Sequence, residues 1–278
     1  MSQNPLISII VSTKNEEKNL ERLLESIKQQ TYPHYEIIVV DNFSTDATVK
    51  IARKFTNKVY LKGPERSAQR NFAVTRAQGN YLLILDADME LAPRALSNYI
   101  KECQNEDYSA LTIPEINPAP NFWAQCRNLE KQMAHGEWHL NAARFIKKDI
   151  FLAIKGYDES LVAAEDYDLD DRLRKANAKI GTGQPALKHY ESQNIIEISK
   201  KKYYYGKMLR KYVVKNKLKA LRRFTPFRPV YLKKIRLLIA NPVYALGLCF
   251  LKMVDYCCGT VGITVSVLHK KGCHPFQG

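Results

Sequence analysis

Residues 81–90 read YLLILDADME, a run of five apolar or aromatic residues, Tyr81 to Leu85, that passes straight into Asp86-Ala87-Asp88. A short continuous apolar run bounded by Gly79-Asn80 on one side and by acids on the other is the pattern of a strand buried on both faces. In an open α/β sheet, ligands bind just beyond the carboxyl ends of such strands. Two carboxylates one residue apart at that edge repel each other and lose solvation unless a cation lies between them. Oxygen ligands with room for phosphate oxygens suit Mg2+ or Mn2+. The competing reading is that Asp88 merely begins the next turn and caps the helix near Pro93.

The sequence on either side repeats the same alternation. Leu6 to Val11 predicts a first buried strand, followed by a helix capped by Asn15 whose apolar positions are Leu20, Leu23, Leu24 and Ile27. Glu36 to Val40 predicts a second strand ending in Asp41-Asn42, and Ser44 to Asp46 can cap a helix carrying Val49, Ala52 and Phe55. Val59 to Leu61, a helix from Glu65 to Ala77, and the run at 81–90 follow. Beyond them come a helix opened by Pro93, strands at 108–113 and 142–147, and the turn Gly156-Tyr157-Asp158-Glu159. Strands alternating with helices of this length mean βαβ units and a mostly parallel sheet. Residues 114–140 break the rhythm and suggest an acceptor-facing loop and short helix. His135 and His139 share one helical face there, but their order, H-x-E-x-H, is not that of a zinc protease.

An acidic cluster, Glu165-Asp166-Tyr167-Asp168-Leu169-Asp170-Asp171, opens the next helix. Acids in a first turn are favoured by the helix dipole. That effect does not require so many, and one carboxylate beside a bound hydroxyl can act as a general base.

The chain has 278 residues, enough for one main domain and an extension. Its apolar N-terminal run is too short for a signal peptide or a membrane span, so a cytoplasmic catalytic part is expected. The six cysteines show no C-x-x-C spacing and are expected to be reduced, with Cys257-Cys258 packed as small apolar residues. The net charge of +15 is unevenly placed. Lys200 to Arg236 holds 15 Lys or Arg and no acid, and removing them from the 43 basic residues leaves as many as the 28 acidic ones. That segment is expected to face something anionic.

The order of these features resembles the family 2 glycosyltransferases, inverting enzymes built on a GT-A-type, Rossmann-like, mostly parallel α/β sheet flanked by helices. The resemblance rests on ISIIVSTKNEEKNL, EIIVVDNFSTDAT, SAQRNFAVTRAQGNYLLILDAD, the Gly156 turn and AEDYDLDDRL, over residues 5 to 190. It implies that Ser12, Thr13 and Glu16 border the nucleotide base and ribose, and that Asp41 hydrogen-bonds the base. Arg70 would contact nucleotide or diphosphate, Asp86 would lie near ribose and metal, and Asp88 would ligate the metal, with His189 as a further metal or diphosphate contact. Asp166 would be the catalytic base. The second strand ends Asp41-Asn42 where many members carry two acids. The Q-x-x-R-W segment of processive synthases is missing, so a single transfer is expected.

In the tail, basic residues are interleaved with tyrosines, a pattern that suits nucleic acid or anionic lipid. The apolar stretches that follow, 237–251 and 253–268, are interrupted by Lys252 and Asp255. Each is shorter than a span, so a helical hairpin lying on or dipping into a membrane is expected, with a helix pair packed on the enzyme's own core and a single tilted span as the alternatives. The combined expectation is a nucleotide-sugar-binding domain at 1–195 and a basic, apolar, membrane-associating helical extension at 196–278. Its reaction would be a single transfer from a UDP-linked donor, with Mg2+ or Mn2+, to a glycan or lipid-linked acceptor. An anionic membrane surface at the inner face of the cell membrane is the expected partner, and nucleic acid is not. A polyprenyl-phosphate sugar synthase and a basic nucleic-acid-binding protein are the other readings. A sugar nucleotidyltransferase lacks its Gly-rich first loop here.

Overall fold

The computed structural model describes residues 4–118, 120–134, 142–191, 194–216, 220, 224 and 229–272. It divides into two compact units. One comprises Met1–Pro118, Ala134–Glu159 and Glu165–Tyr190; the other comprises Ala119–Met133, Ser160–Ala164 and Glu191–Gly278.

The first unit is built on a seven-stranded sheet. Its strands are β1 (Ile7–Thr13), β2 (Tyr35–Asp41), β3 (Val59–Leu61), β4 (Tyr81–Asp86), β6 (Ala110–Thr112), β8 (Ala143–Lys147) and β9 (Ile180–Thr182), in the order β3-β2-β1-β4-β8-β6-β9. Neighbouring strands are parallel except at β8, which runs antiparallel to both β4 and β6. The apolar runs sit in the middle of this sheet because both faces are covered. Ile7, Ile9 and Val11 pack with Leu20, Leu23, Leu24 and Ile27 of α1 (Leu20–Lys28) and with α4 (Ala95–Glu106). Ile10, Ile38, Ile84 and Leu82 pack on the other face with Ala73 and Val74 of α3 (Arg66–Arg76), Phe151 of α6 (Lys148–Ala153), and Leu169 and Leu173 of α7 (Glu165–Lys175).

Register decides what stands at the sheet's edge. Ser12 lies opposite Asp86, and Thr13 opposite Asp41, so three strands end together in polar side chains. A second sheet of three short strands has the order β5-β10-β7, formed by β5 (Met89–Glu90), β10 (Leu187–His189) and β7 (Glu115–Ile116). It begins one residue after Asp88.

Asn15 does not cap α1. Asn19 occupies that position, while Asn15 takes a left-handed backbone (φ 53°) and its Oδ1 accepts from the Thr45 amide at 2.9 Å. The N-cap of α2 (Thr48–Ala52) is Ala47, and Asp46, one residue earlier, accepts from the Thr48 amide at 3.0 Å.

The second unit is helical: α5 (Phe122–Ala134), α8 (Ile195–Lys215), α9 (Pro229–Lys233), α10 (Ile235–Ala240) and α11 (Pro242–Gly272). The expected hairpin within 237–268 is therefore replaced by a bend at Asn241-Pro242 and one continuous helix of 31 residues. Lys252 and Asp255 do not interrupt it, because their charges are met by another helix of the same unit. Arg127 grips Asp255 with two hydrogen bonds, 2.7 and 2.8 Å, and Glu130 pairs with Lys252. Cys257 is exposed rather than packed, and the cysteines of the described residues are free thiols.

The sheet's other end is tied by Glu36 on β2. Its Oε1 accepts from Ser8 Oγ at 2.5 Å and from the Gln78 amide at 2.6 Å, while Oε2 faces Lys58 Nζ at 2.5 Å. Burial pushes this carboxyl up, but the bonds from Lys58, Ser8 and the Gln78 amide outweigh it and leave the pKa below the ordinary value. A depressed carboxyl stabilises the fold above its ordinary pKa and loses that contribution as pH falls through the folded value. Glu36→Gln is expected to cost about 1 kcal/mol in urea unfolding near pH 7, a cost that shrinks as pH falls below the ordinary carboxylate pKa.

Candidate active site

At the carboxyl edge of the sheet, Asp41 is completely buried. Its Oδ1 accepts from Thr13 Oγ1 at 2.7 Å and from Ser44 Oγ at 2.5 Å, and its Oδ2 accepts from the Ser44 amide at 2.7 Å. Helix α3 is sewn to the same edge by Gln69, whose Nε2 donates to the carbonyls of Thr13 (2.9 Å) and Val40 (2.6 Å). The Ser12 hydroxyl beside Asp86 is buried and has no hydrogen-bond partner among the described residues. Buried hydroxyls without partners are uncommon, and one at a sheet's carboxyl edge is a place where a ligand atom can complete the set. Glu16 sits further along the loop, its amide bonded to Thr48 Oγ1 at 2.7 Å and its carboxylate to Asn19.

The next residue, Arg70, enters the site from α3 with no solvent exposure at all. Its Nη2 donates to Asp86 Oδ1 at 2.7 Å and its Nη1 to Asp166 Oδ1 at 3.1 Å. The guanidinium also lies 5.1 Å from the centre of the Tyr157 ring, and the Tyr157 hydroxyl donates to the same Asp166 oxygen at 3.2 Å. Tyr157 is placed by the Gly156 turn, where φ is +61°, and by Asn71, whose side-chain oxygen accepts from the Tyr157 amide at 2.8 Å. Glu165 is the buried acid of the pair, 2.9 Å from Arg66, whereas the Asp166 side chain keeps 27% of its exposure.

The charges continue beyond Asp86. Its Oδ2 meets Arg144 Nη2 at 3.3 Å, and Arg144 is held by Glu115 at 2.8 Å. The other oxygen of Glu115 meets His189 Nδ1 at 2.6 Å, and His189 Nε2 faces Asp88 Oδ2 at 3.3 Å. The small sheet brings the last three together: β10 pairs His189 with Met89, and Leu187 with Glu115, while the Tyr190 amide donates to the Asp88 carbonyl at 2.9 Å. Signs alternate from Asp166 to Asp88, and that alternation makes the burial tolerable. Burial pushes the Asp86 carboxyl up, but Arg70 and then Arg144 hold it well below the usual carboxylate range. Burial likewise lowers His189, but Glu115 and Asp88 raise it to about 10.

Arg70, Asp86, Asp88, Asp166 and His189 thus belong to one connected set, with Ser12, Thr13 and Asp41 at its border. Asp88 does not cap the helix after Pro93, since that helix starts at Ala95 with no side-chain cap. His135 and His139 lie outside the described residues. Among the described residues no cluster of three or more His, Cys, Asp or Glu is arranged as a closed cation shell. Both oxygens of Asp86 face guanidinium groups, while Asp88 and, once the Nε2 proton that pairs with it is displaced, His189 offer an oxygen and a nitrogen close together, with the far side of the imidazole fixed by a carboxylate as metal-binding histidines commonly are. A divalent cation that fills its remaining positions with diphosphate oxygens and water fits such an open pair. Sequence reasoning missed Arg144 and Glu115. The available signal was a lone charge inside each apolar stretch, ARFI and TIPEI.

A sequence profile described as Glycosyl transferase family 2 matches residues 8–160. The uncharacterized glycosyltransferase MJ1057 of Methanocaldococcus jannaschii is 28% identical over 226 residues, covering 72% of this chain and 77% of that protein. The poly(ribitol-phosphate) beta-N-acetylglucosaminyltransferase TarS of Staphylococcus aureus is 30% identical over 214 residues, 72% of this chain but only 35% of that longer protein. Among solved structures, TarS 1–349 in complex with UDP matches with a TM-score of 0.56 at 17% identity, covering 98% of this chain and 93% of that one. The mannosyltransferase PcManGT of Pyrobaculum calidifontis, in complex with GDP-Man and Mn2+, matches with a TM-score of 0.61 at 17% identity, covering 98% and 81%. At these identities the structural likeness establishes the GT-A fold.

Removing one member of a buried alternating set leaves its neighbours unpaired. Arg144→Met is expected to cost about 3–5 kcal/mol in guanidinium unfolding. Combining it with Glu115→Leu should cost at least about 1 kcal/mol less than the sum of the two single changes. Additive costs would show that the pair is not coupled.

Proposed function

The chain belongs to glycosyl transferase family 2, and from its site we propose that it moves one sugar, with inversion, from a UDP-linked donor to a hydroxyl of a lipid-linked or polysaccharide-precursor acceptor at the cytoplasmic face of a membrane. The observation that carries this reading is Arg70, one buried guanidinium that holds both Asp86, at the end of the central strand, and Asp166. It ties a donor-side acid to an acid that still reaches solvent.

In this reading Ser12, Thr13 and Asp41 border the base and ribose, with Glu16 on the adjoining loop. Asp41 is pre-positioned by Thr13 and Ser44, so little ordering is left to the moment of binding. Arg70 spends both terminal nitrogens on carboxylates and is fully buried, which supports a role in orienting Asp86 and Asp166 beside the diphosphate. Asp166 has one oxygen anchored by Arg70 and Tyr157. The other takes the proton of the acceptor hydroxyl as that oxygen attacks the anomeric carbon. The bond from that carbon to the diphosphate breaks, and its electron pair leaves with the phosphate oxygen. Attack opposite the leaving group inverts the centre.

Mg2+ or Mn2+, held by Asp88 and His189 with Asp86 alongside, would neutralise the charge of the departing diphosphate. The basic run at 200–236 and the exposed apolar helix α11 support a membrane location.

Calorimetric titration with UDP, with and without Mn2+, tests the donor site. Binding that requires the metal and is lost in Asp88→Ala is expected; a folded protein that binds no nucleotide would overturn the reading. Asp166→Asn should leave donor affinity unchanged and lower turnover about 10²- to 10⁴-fold. Turnover that survives this change would point instead to an acceptor that is already ionised, the phosphate of a polyprenyl phosphate.

A further inference from the structure

Helix α11 is amphipathic in the opposite sense to a helix of a water-soluble protein. Val243, Leu246, Phe250, Met253, Val261 and Leu268 are each between 42% and 73% exposed. They recur every three or four residues once Cys257 and Thr264, also exposed, are included. This is one continuous outward stripe along the helix. The opposite side carries the charges: Asp255 and Lys252 face Arg127 and Glu130, beside Leu248 and Leu251 in a small core with Cys126, Leu129 and Met133. Most of the apolar length of the helix is not buried. Apolar residues outward and ion pairs inward is the arrangement that a lipid environment favours.

At 31 residues and about 1.5 Å per residue, α11 is about 46 Å long, enough to cross a hydrocarbon core of roughly 30 Å at a tilt. What decides against crossing is that it is not alone. Helix α8, with seven Lys or Arg in 21 residues, crosses it in backbone contact, since a side chain at Gly206 would strike the backbone of Gly259 and one at Gly262 the backbone of Tyr203. A helix so basic cannot follow α11 through hydrocarbon. It can lie against anionic headgroups, and the run from Lys200 to Arg236 is positive throughout.

We propose that α11 lies in the plane of an anionic membrane surface, with its stripe from Val243 to Leu268 sunk to a uniform shallow depth and the ion pairs of Lys252 and Asp255 facing away from the lipid. This seat goes beyond the transferase chemistry and does not depend on it.

The full chain, with its own cysteines replaced, would carry a nitroxide in turn at Val243→Cys, Phe250→Cys, Val261→Cys and Leu268→Cys. It would be mixed with phosphatidylcholine vesicles with and without phosphatidylglycerol. Binding that rises with phosphatidylglycerol, and equal shallow depths at the four sites by power saturation, are expected. The triple variant L246E/F250E/M253E should partition at least about tenfold more weakly with unchanged thermal unfolding. A depth profile that peaks at the bilayer centre would overturn the proposal in favour of a span. Unweakened partitioning of the triple variant would overturn it as well. So would labels shielded from both water and lipid in a dimer, which would assign the stripe to a second copy of the chain. Unfolding and vesicle binding need no nucleotide, so a failed donor titration leaves this test intact.

Discussion

The site depends on one buried cation. Arg70 has no exposure, and the low dielectric around it makes an unpaired guanidinium prohibitively costly. The fold must therefore deliver carboxylates to it, and it does so from two distant stretches, Asp86 at the end of β4 and Asp166 at the start of α7. Neither acid is a neighbour of Arg70 in the chain. Closure of the sheet and docking of α7 are what bring the three together, so the site cannot assemble before the domain does.

Its extension through Arg144, Glu115 and His189 follows from the same constraint. Asp86 has a second oxygen, and its burial calls for a second donor. The antiparallel β8, wedged between β4 and β6, supplies it at an inward position that an apolar residue would otherwise fill. Arg144 in turn requires Glu115, and Glu115 reaches the short sheet that carries His189. A single electrostatic line thus runs from the solvent-facing acid Asp166 to Asp88, across elements that share no sequence proximity.

This pattern explains what could be read in advance. Strands such as 81–86 and 7–13 announce themselves because both faces are buried, so every residue is apolar and no partner need be known. Asp86 and Asp88 are legible because they stand where such a run stops, and Asp166 because it belongs to an acidic cluster at a helix start. Arg144 and Glu115 are not, because the groups that justify them lie far off in the chain: each other, 29 residues apart, Asp86 for Arg144 and His189 for Glu115. Asn15 misled for a related reason: its side chain bonds across to Thr45 rather than to the helix that follows it. Lys252 and Asp255 look like breaks in an apolar segment only while Glu130 and Arg127, more than a hundred residues earlier, are left out of view.

Alternating buried charges are a poor way to hold a protein together. Replacing such a set with apolar side chains of similar volume is often neutral or stabilising, because desolvation offsets most of the attraction. A sheet with cores as complete as those on either face here has no need of it for cohesion. What apolar packing cannot supply is a carboxylate with one oxygen fixed and the other toward solvent, at a set distance from a second group of acids. Arg70 and Tyr157 impose that geometry on Asp166 at 3.1 and 3.2 Å, and Glu115 imposes its counterpart on His189 at 2.6 Å. In the proposed reading the stability forgone marks positions kept for chemistry, at the strand ends where a nucleotide-diphosphate sugar would lie.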